Sequence, residues 1–550
     1  MSVFNNKLIK LVCCCLTCGL LIMTSGCGKE QSDGKGYLFK YTMVQNPQNL
    51  DPQIAVDSNS ITVISNTYTG LMTKDINGNV VCGVADSYTV SDDGLTYVFY
   101  LKKDYKWYTF DNTSFDVTAD DFVFAFYRLF NPEMQSPYGE KFSCLKNAKA
   151  ILNGSEDLTY SDVGVYASDK YTITFLLDTP NADFLNLLTQ SFAMPCNKTF
   201  FESTHSTYGL YDYSTVSNGA FYIKQWFYDK YGSDNFLTLR RNPVNPQYDE
   251  YSPYAIQLTI DEKSTLDDVQ HSFYKDETDL YYCNSLDKSS IDRNDVVTSY
   301  DISTVGLVFN TQDTQFKEKS LRNAFAYSVN REKALKKSNS DIDLAYGIVP
   351  KSCKVYGKYY RDTISDTSLT EHLSQDEVLQ NFNTAKDILG EISDVRIIME
   401  NGIDSAYIKS IADEWQKLFN INVLIEPLSA EEFNKSVESN DYQIAIYSLN
   451  STDDSPYSFL KYFLSTSENF NYSNLQVDTL LKASEQCLNS TDVVTMYSQV
   501  EESILHDIVY VPLYYNKSYL VCGTGIDKIE YNPFNYVLNF DYALNYNQED

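Results

Sequence analysis

The alternation of apolar and polar positions is clearest between residues 395 and 447, where it predicts a strand–helix–strand–helix–strand unit. Short β-prone apolar runs are typical of buried strands, whereas apolar residues at 3.6-residue spacing form one face of a helix. The strands are predicted at Val395–Met399, Ile421–Ile425 and Tyr442–Tyr447, and the helices at 408–419 and 429–437. This βαβαβ order favours a parallel sheet with right-handed crossovers. Because ligands bind beyond the carboxyl ends of such strands, the segment 448–456 is a candidate site.

Nearer the N-terminus the pattern favours β-strands beside an amphipathic helix. A turn at Ser91–Gly94 precedes the β-prone run Thr96–Leu101, and Tyr171–Leu177 is a further predicted strand. Thr118 and Asp121 have the spacing of a helix-starting capping box, and apolar residues follow on one face. The chain is therefore predicted to be an α/β protein with at least one other domain.

The first residues predict export from the cytoplasm. Lys7 and Lys10 precede an apolar run of 13 residues, Leu11–Met23, and small residues follow it. This is the pattern of a secretory signal peptide. The run is too short to cross a membrane as a helix, which requires about 20 apolar residues.

The residues after this run indicate how the exported chain is attached. Thr24-Ser25-Gly26-Cys27 resembles the bacterial lipobox, whose cysteine receives a diacylglycerol and becomes the new N-terminus. The first lipobox position is usually Leu, whereas Thr24 stands here. The resemblance implies a lipoprotein signal peptide at 1–26 and lipidation of Cys27, followed by a polar tether at 27–36. The alternative is an ordinary secreted protein that is cleaved nearby.

Composition narrows the classes of function. The 550 residues are 43% hydrophobic and 14% aromatic, which is typical of a globular protein of about three domains. The formal charge of −31 argues against nucleic acid or an anionic membrane surface as a partner, since phosphates require basic residues. Tyrosine occurs 46 times, which either a coding bias or a ring-lined cleft would explain.

The sequence carries no recognisable catalytic or nucleotide-binding motif. H-E-x-x-H, G-x-S-x-G, G-x-G-x-x-G and P-loop patterns do not occur, and the four histidines are far apart. Seven cysteines beyond Cys27 are scattered without a C-x-x-C pair, so buried thiols are the default expectation, with one or two disulfides possible. We expect a binding protein, not an enzyme, and predict no cofactor and no metal site.

Eight short segments between about residues 45 and 525 carry family motifs in a fixed order. They are Asn49-Leu50-Asp51-Pro52; Tyr68-Thr69-Gly70-Leu71 with Ala85-Asp86-Ser87-Tyr88; Asp92-Asp93-Gly94-Leu95-Thr96-Tyr97 through Lys106-Trp107; Val117-Thr118-Ala119-Asp120-Asp121-Phe122; Ser217-Asn218-Gly219-Ala220-Phe221 with Arg241-Asn242-Pro243; Phe309-Asn310-Thr311; Leu321-Arg322-Asn323-Ala324 through Val329-Asn330-Arg331-Glu332; and Val511-Pro512-Leu513-Tyr514. Together they resemble the solute-binding lipoproteins of oligopeptide and dipeptide ABC importers, the bacterial extracellular solute-binding protein family 5.

This resemblance implies a periplasmic-binding-protein-like α/β fold. Two α/β lobes would be joined by two crossover strands that act as a hinge, and an additional β-rich α+β domain would pack on the first lobe. Carried onto this sequence, lobe I comprises 37–71, 198–304 and 516–550, the additional domain 72–197, and lobe II 305–515. The implied function is capture of short peptides outside the cell and their delivery to the permease subunits of an ABC transporter. The protein would act as a monomer, held to the extracytoplasmic face of the cell membrane by its lipid alone.

The resemblance also implies several ligand contacts. By this resemblance, the segment 56–59, which includes Ser58, is extended and pairs with the peptide backbone. Tyr138 falls on the position of a tyrosine that contacts the ligand in the family. Phe433 replaces a cleft tryptophan and is expected either as a pocket wall or as a core residue. Basic positions that hold the far carboxylate in some relatives are apolar here, for example Ile446, so a fixed ligand length is not expected.

The family's anchor for the ligand ammonium group matches the segment 448–456. Leu449 replaces a tryptophan of the family motif, and Thr452 stands where the anchoring aspartate is expected. Asp453 and Asp454 are the nearest carboxylates. Either could bind the ammonium group, or both could only cap the helix that follows.

Other functions remain compatible with the sequence. The same family includes receptors for nickel chelates, haem, opines and oligosaccharides, so the solute could be something other than a peptide. A hydrolase without a visible motif is a second alternative. A sensory or adhesion lipoprotein that binds a protein partner is a third.

Overall fold

A computed structural model describes residues 36–547 except 77, 287–290, 292–293, 339, 365–372 and 468. The predicted signal peptide, Cys27 and the tether up to residue 35 lie outside the described residues. Within the part that is described, no helix is long and apolar enough to cross a membrane.

Lobe I is built on a four-stranded mixed sheet. Its strands, in sheet order, are Tyr37–Met43, Pro253–Ile260, Asn235–Arg241 and Phe221–Phe227. The first two run parallel and the others antiparallel. Around the sheet lie helices Ser58–Thr67 and Leu266–Phe273, the 3₁₀ turns Asp212–Ser214 and Tyr248–Glu250, and short strands at Ile526–Asp527, Glu530–Asn532, Val537–Asn539 and Leu544–Asn545.

The additional domain surrounds one hydrophobic cluster whose buried residues extend from Ala55 to Val216. Its main sheet has the order Ala85–Val90, Thr96–Leu101, Thr172–Leu176, Val165–Asp169; smaller sheets join Val216–Ser217, Lys106–Thr109 and Ser114–Asp116, and Met72–Lys74 with Val80–Cys82. Its helices are Ala119–Phe130, Ala148–Leu152 and Phe184–Leu187, with 3₁₀ turns at Pro132–Met134, Gly139–Phe142, Tyr160–Asp162 and Ser191–Ala193. Helix Lys198–Ser203 and strand Val216–Ser217 lie in the range predicted for lobe I and contribute to the same cluster. The predicted capping box is confirmed, because Thr118 is the N-cap residue and Asp121 accepts from its backbone N–H at 2.8 Å.

Lobe II contains the predicted βαβαβ unit. Strands Val395–Glu400, Val423–Leu428 and Ile444–Leu449 are parallel, and helices Ser405–Phe419 and Ala430–Glu438 connect them. The first strand is central, with Ile397 opposite both Ile425 and Ile444. The other helices of this lobe are Lys319–Tyr327, Arg331–Leu335, Tyr360–Thr363, Gln375–Leu389, Pro456–Leu460, the 3₁₀ turn Lys461–Phe463, Leu475–Ser484 and Ser490–His506, and a hairpin joins Lys354–Val355 to Lys358–Tyr359.

Two long strands, which we call the crossover strands, connect the lobes. Val296–Phe309 and Tyr510–Cys522 pair antiparallel along their length, with register shifts between Asp301 and Ser303 and between Val305 and Gly306. They belong to one seven-stranded sheet, which continues to Leu280–Cys283 on the lobe I side and to the parallel strands of lobe II; the short strand Asp343–Leu344 also pairs with Tyr510–Cys522. The two-lobed fold with an additional domain is therefore confirmed, while the exact domain boundaries stay a prediction.

An ion-pair network holds the crossover strands to lobe II. Asp301 lies opposite Lys517 on the paired strand. Lys351 Nζ lies 3.6 Å from Asp301 Oδ2 and 3.5 Å from Asp343 Oδ2, and Lys517 Nζ lies 2.8 Å from Asp343 Oδ1. Each crossover strand is thus tied to the same short strand of lobe II, close to the register shift at residue 301.

The cysteines beyond Cys27 are all free thiols in this structure: Cys82, Cys144, Cys196, Cys283, Cys353, Cys487 and Cys522. Four of them are buried, which matches the default expectation of a packing role.

Candidate functional site

The candidate site lies where a loop of lobe II faces the additional domain. The loop, residues 450–455, follows the carboxyl end of strand Ile444–Leu449, which is the position that the topology predicts. Opposite it lies the segment 136–142, which ends in the 3₁₀ turn Gly139–Phe142. A Cβ added at Gly94 would lie 2.6 Å from Leu488 Cδ1, so the additional domain and lobe II also touch at a second place.

Asp453 uses its two carboxylate oxygens for different contacts. Oδ1 accepts hydrogen bonds from the backbone N–H of Ser455 at 3.1 Å and from Ser458 Oγ at 2.6 Å. Oδ2 lies 3.7 Å from Nζ of Lys141 on the facing segment. The N-cap of helix Pro456–Leu460 is Ser455, so Asp453 supports the helix start from two residues upstream and is not itself the cap.

The neighbouring loop residues differ in exposure. Asp454 is half-buried, and its carbonyl accepts from the backbone N–H of Lys354 at 2.8 Å. Burial raises the pKa of the Asp454 carboxyl, and the charges of Lys74 and Lys354 oppose that rise. Thr452 is exposed.

Tyr138 joins the facing segment of the additional domain to lobe I. Its hydroxyl donates to the carbonyl of Ala55, and its ring stacks on Phe192 with the centroids 4.6 Å apart. Burial, with a smaller contribution from the charge of Asp57, raises the pKa of Tyr138 to about 12. Ser136 Oγ donates to the carbonyl of Gln53 at 2.6 Å, so the facing segment fixes the chain just before residues 56–59.

The segment 56–59 is extended only in its first half. Helix Ser58–Thr67 begins at Ser58, because Asp57 is its N-cap and accepts from the backbone N–H of Ser60 at 2.8 Å. The expectation of extended backbone is therefore wrong for Ser58 and Asn59. Val56, directly before the cap, has a side chain that is 65% exposed.

Two of the predicted contact residues are buried. Phe433 is 3% exposed and lies in a hydrophobic cluster of lobe II, with its ring centroid 6.0 Å from that of the half-buried Tyr447. Leu449 is fully buried in the same cluster, and Ile446 is buried in the adjacent one. Side-chain contact of Phe433 or Leu449 with a ligand therefore stays a prediction.

Sequence reasoning missed two charged residues of the additional domain. Lys141 lies only three positions after Tyr138, so its place in the same segment was a usable signal. Asp183 carries no such signal. Solvent reaches its side chain, yet enclosure by protein and the nearby charge of Asp454 raise the pKa of Asp183 to about 7.

The site thus combines three carboxylates with three lysines. The carboxylates are those of Asp183, Asp453 and Asp454, and the lysines are Lys74, Lys141 and Lys354. Such an arrangement suits a charged or dipolar ligand better than an apolar one. Across the described ranges, no group of three or more His, Cys, Asp or Glu residues could hold a metal ion.

The known proteins that resemble this chain are named as binding proteins. The chain is 25% identical to the oligopeptide-binding protein OppA of Bacillus subtilis, over 90% of both chains. It is 22% identical to the probable deoxycholate-binding periplasmic protein YgiS of Escherichia coli, over 87% of this chain and 88% of that one. Among solved structures, the unliganded open form of the periplasmic murein tripeptide-binding protein MppA matches with a TM-score of 0.76 at 20% identity, covering 93% of this chain and 98% of that one.

A family profile matches most of the chain. The sequence profile of the bacterial extracellular solute-binding proteins, family 5 middle region, matches residues 79–471. This range includes most of the additional domain and the whole βαβαβ unit with the loop that carries Asp453. The chain therefore belongs to the bacterial extracellular solute-binding proteins of family 5.

Proposed function

We propose that this protein is a lipid-anchored receptor that captures short peptides between its lobes and delivers them to the permease of an ABC importer. It acts as a binding protein and not as an enzyme. The observation that carries the proposal is the carboxylate of Asp453 at the carboxyl end of a parallel strand. One of its oxygens is fixed within the loop, and the other is directed to a cation on the opposite wall.

A carboxylate held in this way is suited to a peptide amino terminus. A buried ammonium group requires a negative partner, because an unpaired charge is costly to remove from water. The bonds from Ser455 and Ser458 hold Asp453 in place before ligand binds, so little ordering is needed on binding. The three carboxylates supply more than one position for such a group.

The walls of the site also offer backbone groups to an extended ligand. Within the described part of the chain, the peptide groups of Val56 and Thr452 make no hydrogen bond to protein. An extended peptide can pair with such groups whatever its sequence, since all peptides share the same backbone. Ligand backbone groups left unpaired on burial would cost about 1–3 kcal/mol each.

The relatives support peptides as the ligand class but leave a second candidate. OppA of B. subtilis and MppA are named for oligopeptides and for a murein tripeptide, respectively. YgiS is named for deoxycholate, which lacks an ammonium group. Thr452 stands where the family's anchoring aspartate is expected. The second candidate function is therefore the binding of a non-peptide solute of this kind, including nickel chelates, haem, opines and oligosaccharides.

Two measurements on a soluble Cys27→Ala protein test the proposal. Native mass spectrometry followed by denaturation identifies ligands that co-purify, and we expect a ladder of short peptides. Calorimetry then compares peptides with free and with acetylated amino termini. Asp453→Asn retains an Oδ1 acceptor for Ser455 and Ser458 but removes the charge, so we expect at least tenfold weaker binding of free-amine peptides, about 1.4 kcal/mol.

The control is Asp413→Asn, which makes the same charge change at an exposed position of helix Ser405–Phe419. Its affinity is expected to equal that of the parent protein. Equal affinity of the Asp453→Asn protein would refute the anchor role. A single co-purified non-peptide mass would move the receptor to the second candidate class.

A further inference from the structure

The predicted ammonium anchor already has a cation of the protein beside it. Lys141 Nζ lies 3.7 Å from Asp453 Oδ2, across the gap between the additional domain and lobe II. The Lys141 side chain is 50% exposed and that of Asp453 is 38% exposed. An ion pair with this exposure is weak and exchanges readily, because water screens it.

The carboxylates of the site already have cations of the protein nearby without a ligand. Asp183, Asp453 and Asp454 face Lys74, Lys141 and Lys354, as described above. An ammonium group that binds Asp453 Oδ2 therefore meets a cation that is already in place. Among the described residues, Lys141 is the one of the three that lies within 4 Å of a carboxylate of the cluster.

We propose that Lys141 is a specificity-determining residue that competes with the ligand for Asp453. A ligand with a free ammonium group displaces Lys141 from Asp453 Oδ2 and takes its place. A ligand without a cation at this end leaves the pair intact. The inference rests on the proposed function, because it assumes that peptides bind at this loop.

The position of Lys141 makes this exchange physically simple. Gly139–Phe142 is a short 3₁₀ turn in which Phe142 is buried while Lys141 points to solvent. The lysine can therefore leave Asp453 by rotation of its own side chain, without unpacking Phe142 or moving Tyr138. Asp453 Oδ1 keeps its bonds to Ser455 and Ser458 throughout, so the loop is not disturbed by the exchange.

Calorimetry on Lys141→Met gives the first test. Methionine keeps an unbranched side chain of similar length and removes the charge. We expect about fivefold tighter binding of a free-amine peptide, the gain that corresponds to a weak exposed ion pair that no longer has to be broken. The affinity for the same peptide with an acetylated amino terminus is expected to stay unchanged.

The matched control is Lys149→Met, an exposed lysine on helix Ala148–Leu152 of the same domain. It is expected to leave both affinities unchanged. Equal or weaker binding of the free-amine peptide by Lys141→Met would overturn the proposal.

A second measurement does not depend on affinity. A carbodiimide joins a lysine to a carboxylate that it contacts, and mass spectrometry of the digest identifies the linked pair. We expect a Lys141–Asp453 link in the ligand-free protein and with acetylated peptide, and its loss with free-amine peptide. No link in the ligand-free protein would overturn the inference alone. If the Lys141–Asp453 link persists after free-amine peptide is added and no peptide binds, both the competition and peptide binding are overturned. The contact between Lys141 and Asp453 in the ligand-free protein would still stand.

Discussion

At the scale of single residues, the two oxygens of Asp453 combine roles that the sequence offered as alternatives. Oδ1 supports the start of the following helix and Oδ2 faces the opposite wall. The sequence could identify the loop from its topology, since it follows a parallel strand. It could not assign the oxygens, because the contact with Lys141 joins residues more than 300 positions apart.

A second carboxylate, Asp541, is unfavourably placed for a charge. Its Oδ1 is buried without a hydrogen-bond partner in the structure. Burial raises the pKa of Asp541 to about 8, and the charge of Glu530 adds to the rise. The folded protein therefore binds a proton here that the unfolded chain has already lost above about pH 4.

The expected consequence is a loss of stability as pH rises. A carboxyl with a raised pKa in the folded state favours folding fully below about pH 4, and this contribution is lost progressively up to about pH 8. Asp541→Asn removes the titration, so at pH 8 we expect a gain of about 1 kcal/mol or more in the free energy of unfolding. Chemical denaturation between pH 5 and pH 8 measures it.

Asp387→Asn is the control for this prediction, because it makes the same charge change at an exposed position of helix Gln375–Leu389. It is expected to show the pH dependence of the parent protein. A pH profile of Asp541→Asn that is no flatter than that of the control would contradict the assignment.

At the scale of elements, the local sequence pattern was sufficient to predict helices and strands where residues close in sequence are also close in space. The capping box at Thr118 and the βαβαβ unit were both predicted, with strand ends that shifted by at most three residues. The extended backbone predicted at Ser58 was wrong, because Asp57 caps a helix that begins there. The crossover strands came from the family resemblance alone, since their pairing joins segments about 200 residues apart.

Gly306 shows how closely the crossover strands approach their surroundings. A Cβ at this position would lie 2.4 Å from Cζ of Tyr510 and 2.7 Å from the carbonyl oxygen of Val511. Tyr510 is fully buried, and its hydroxyl donates to the carbonyl of Thr304 at 2.7 Å. The register shift at Gly306 therefore depends on the absence of a side chain.

Gly306→Ala is expected to lower the free energy of unfolding by about 1–3 kcal/mol, the usual cost of overpacking a closed core. Urea denaturation measures this loss. Ser299→Ala, at an exposed position of the same strand, serves as the control and is expected to be neutral. Equal stability of the two variants would show that the strands have room to separate at residue 306.

At the scale of the whole molecule, the proposed attachment to the membrane rests on Cys27, which lies outside the described part of the chain. We expect Cys27→Ala to release the protein from the membrane fraction and to abolish its lipid, as read by fractionation and by mass spectrometry of the N-terminal peptide. Cys18→Ala is the control, because Cys18 lies within the predicted signal peptide and its loss leaves attachment intact. A Cys27→Ala protein that remains acylated and membrane-bound would refute the lipobox assignment.

The way lobe I is assembled has a consequence for the order in which the chain folds. Asn66 Nδ2 donates to the carbonyl of Leu538 at 3.0 Å, and its Oδ1 accepts from the N–H of Phe540 at 2.7 Å. The core of lobe I and both crossover strands therefore stay incomplete until nearly the whole polypeptide has been synthesised. Contacts between such distant segments slow folding, because a very long loop must close before they form. A nascent chain of this design remains open for longer, and an open chain is the form that can be threaded through a narrow export channel.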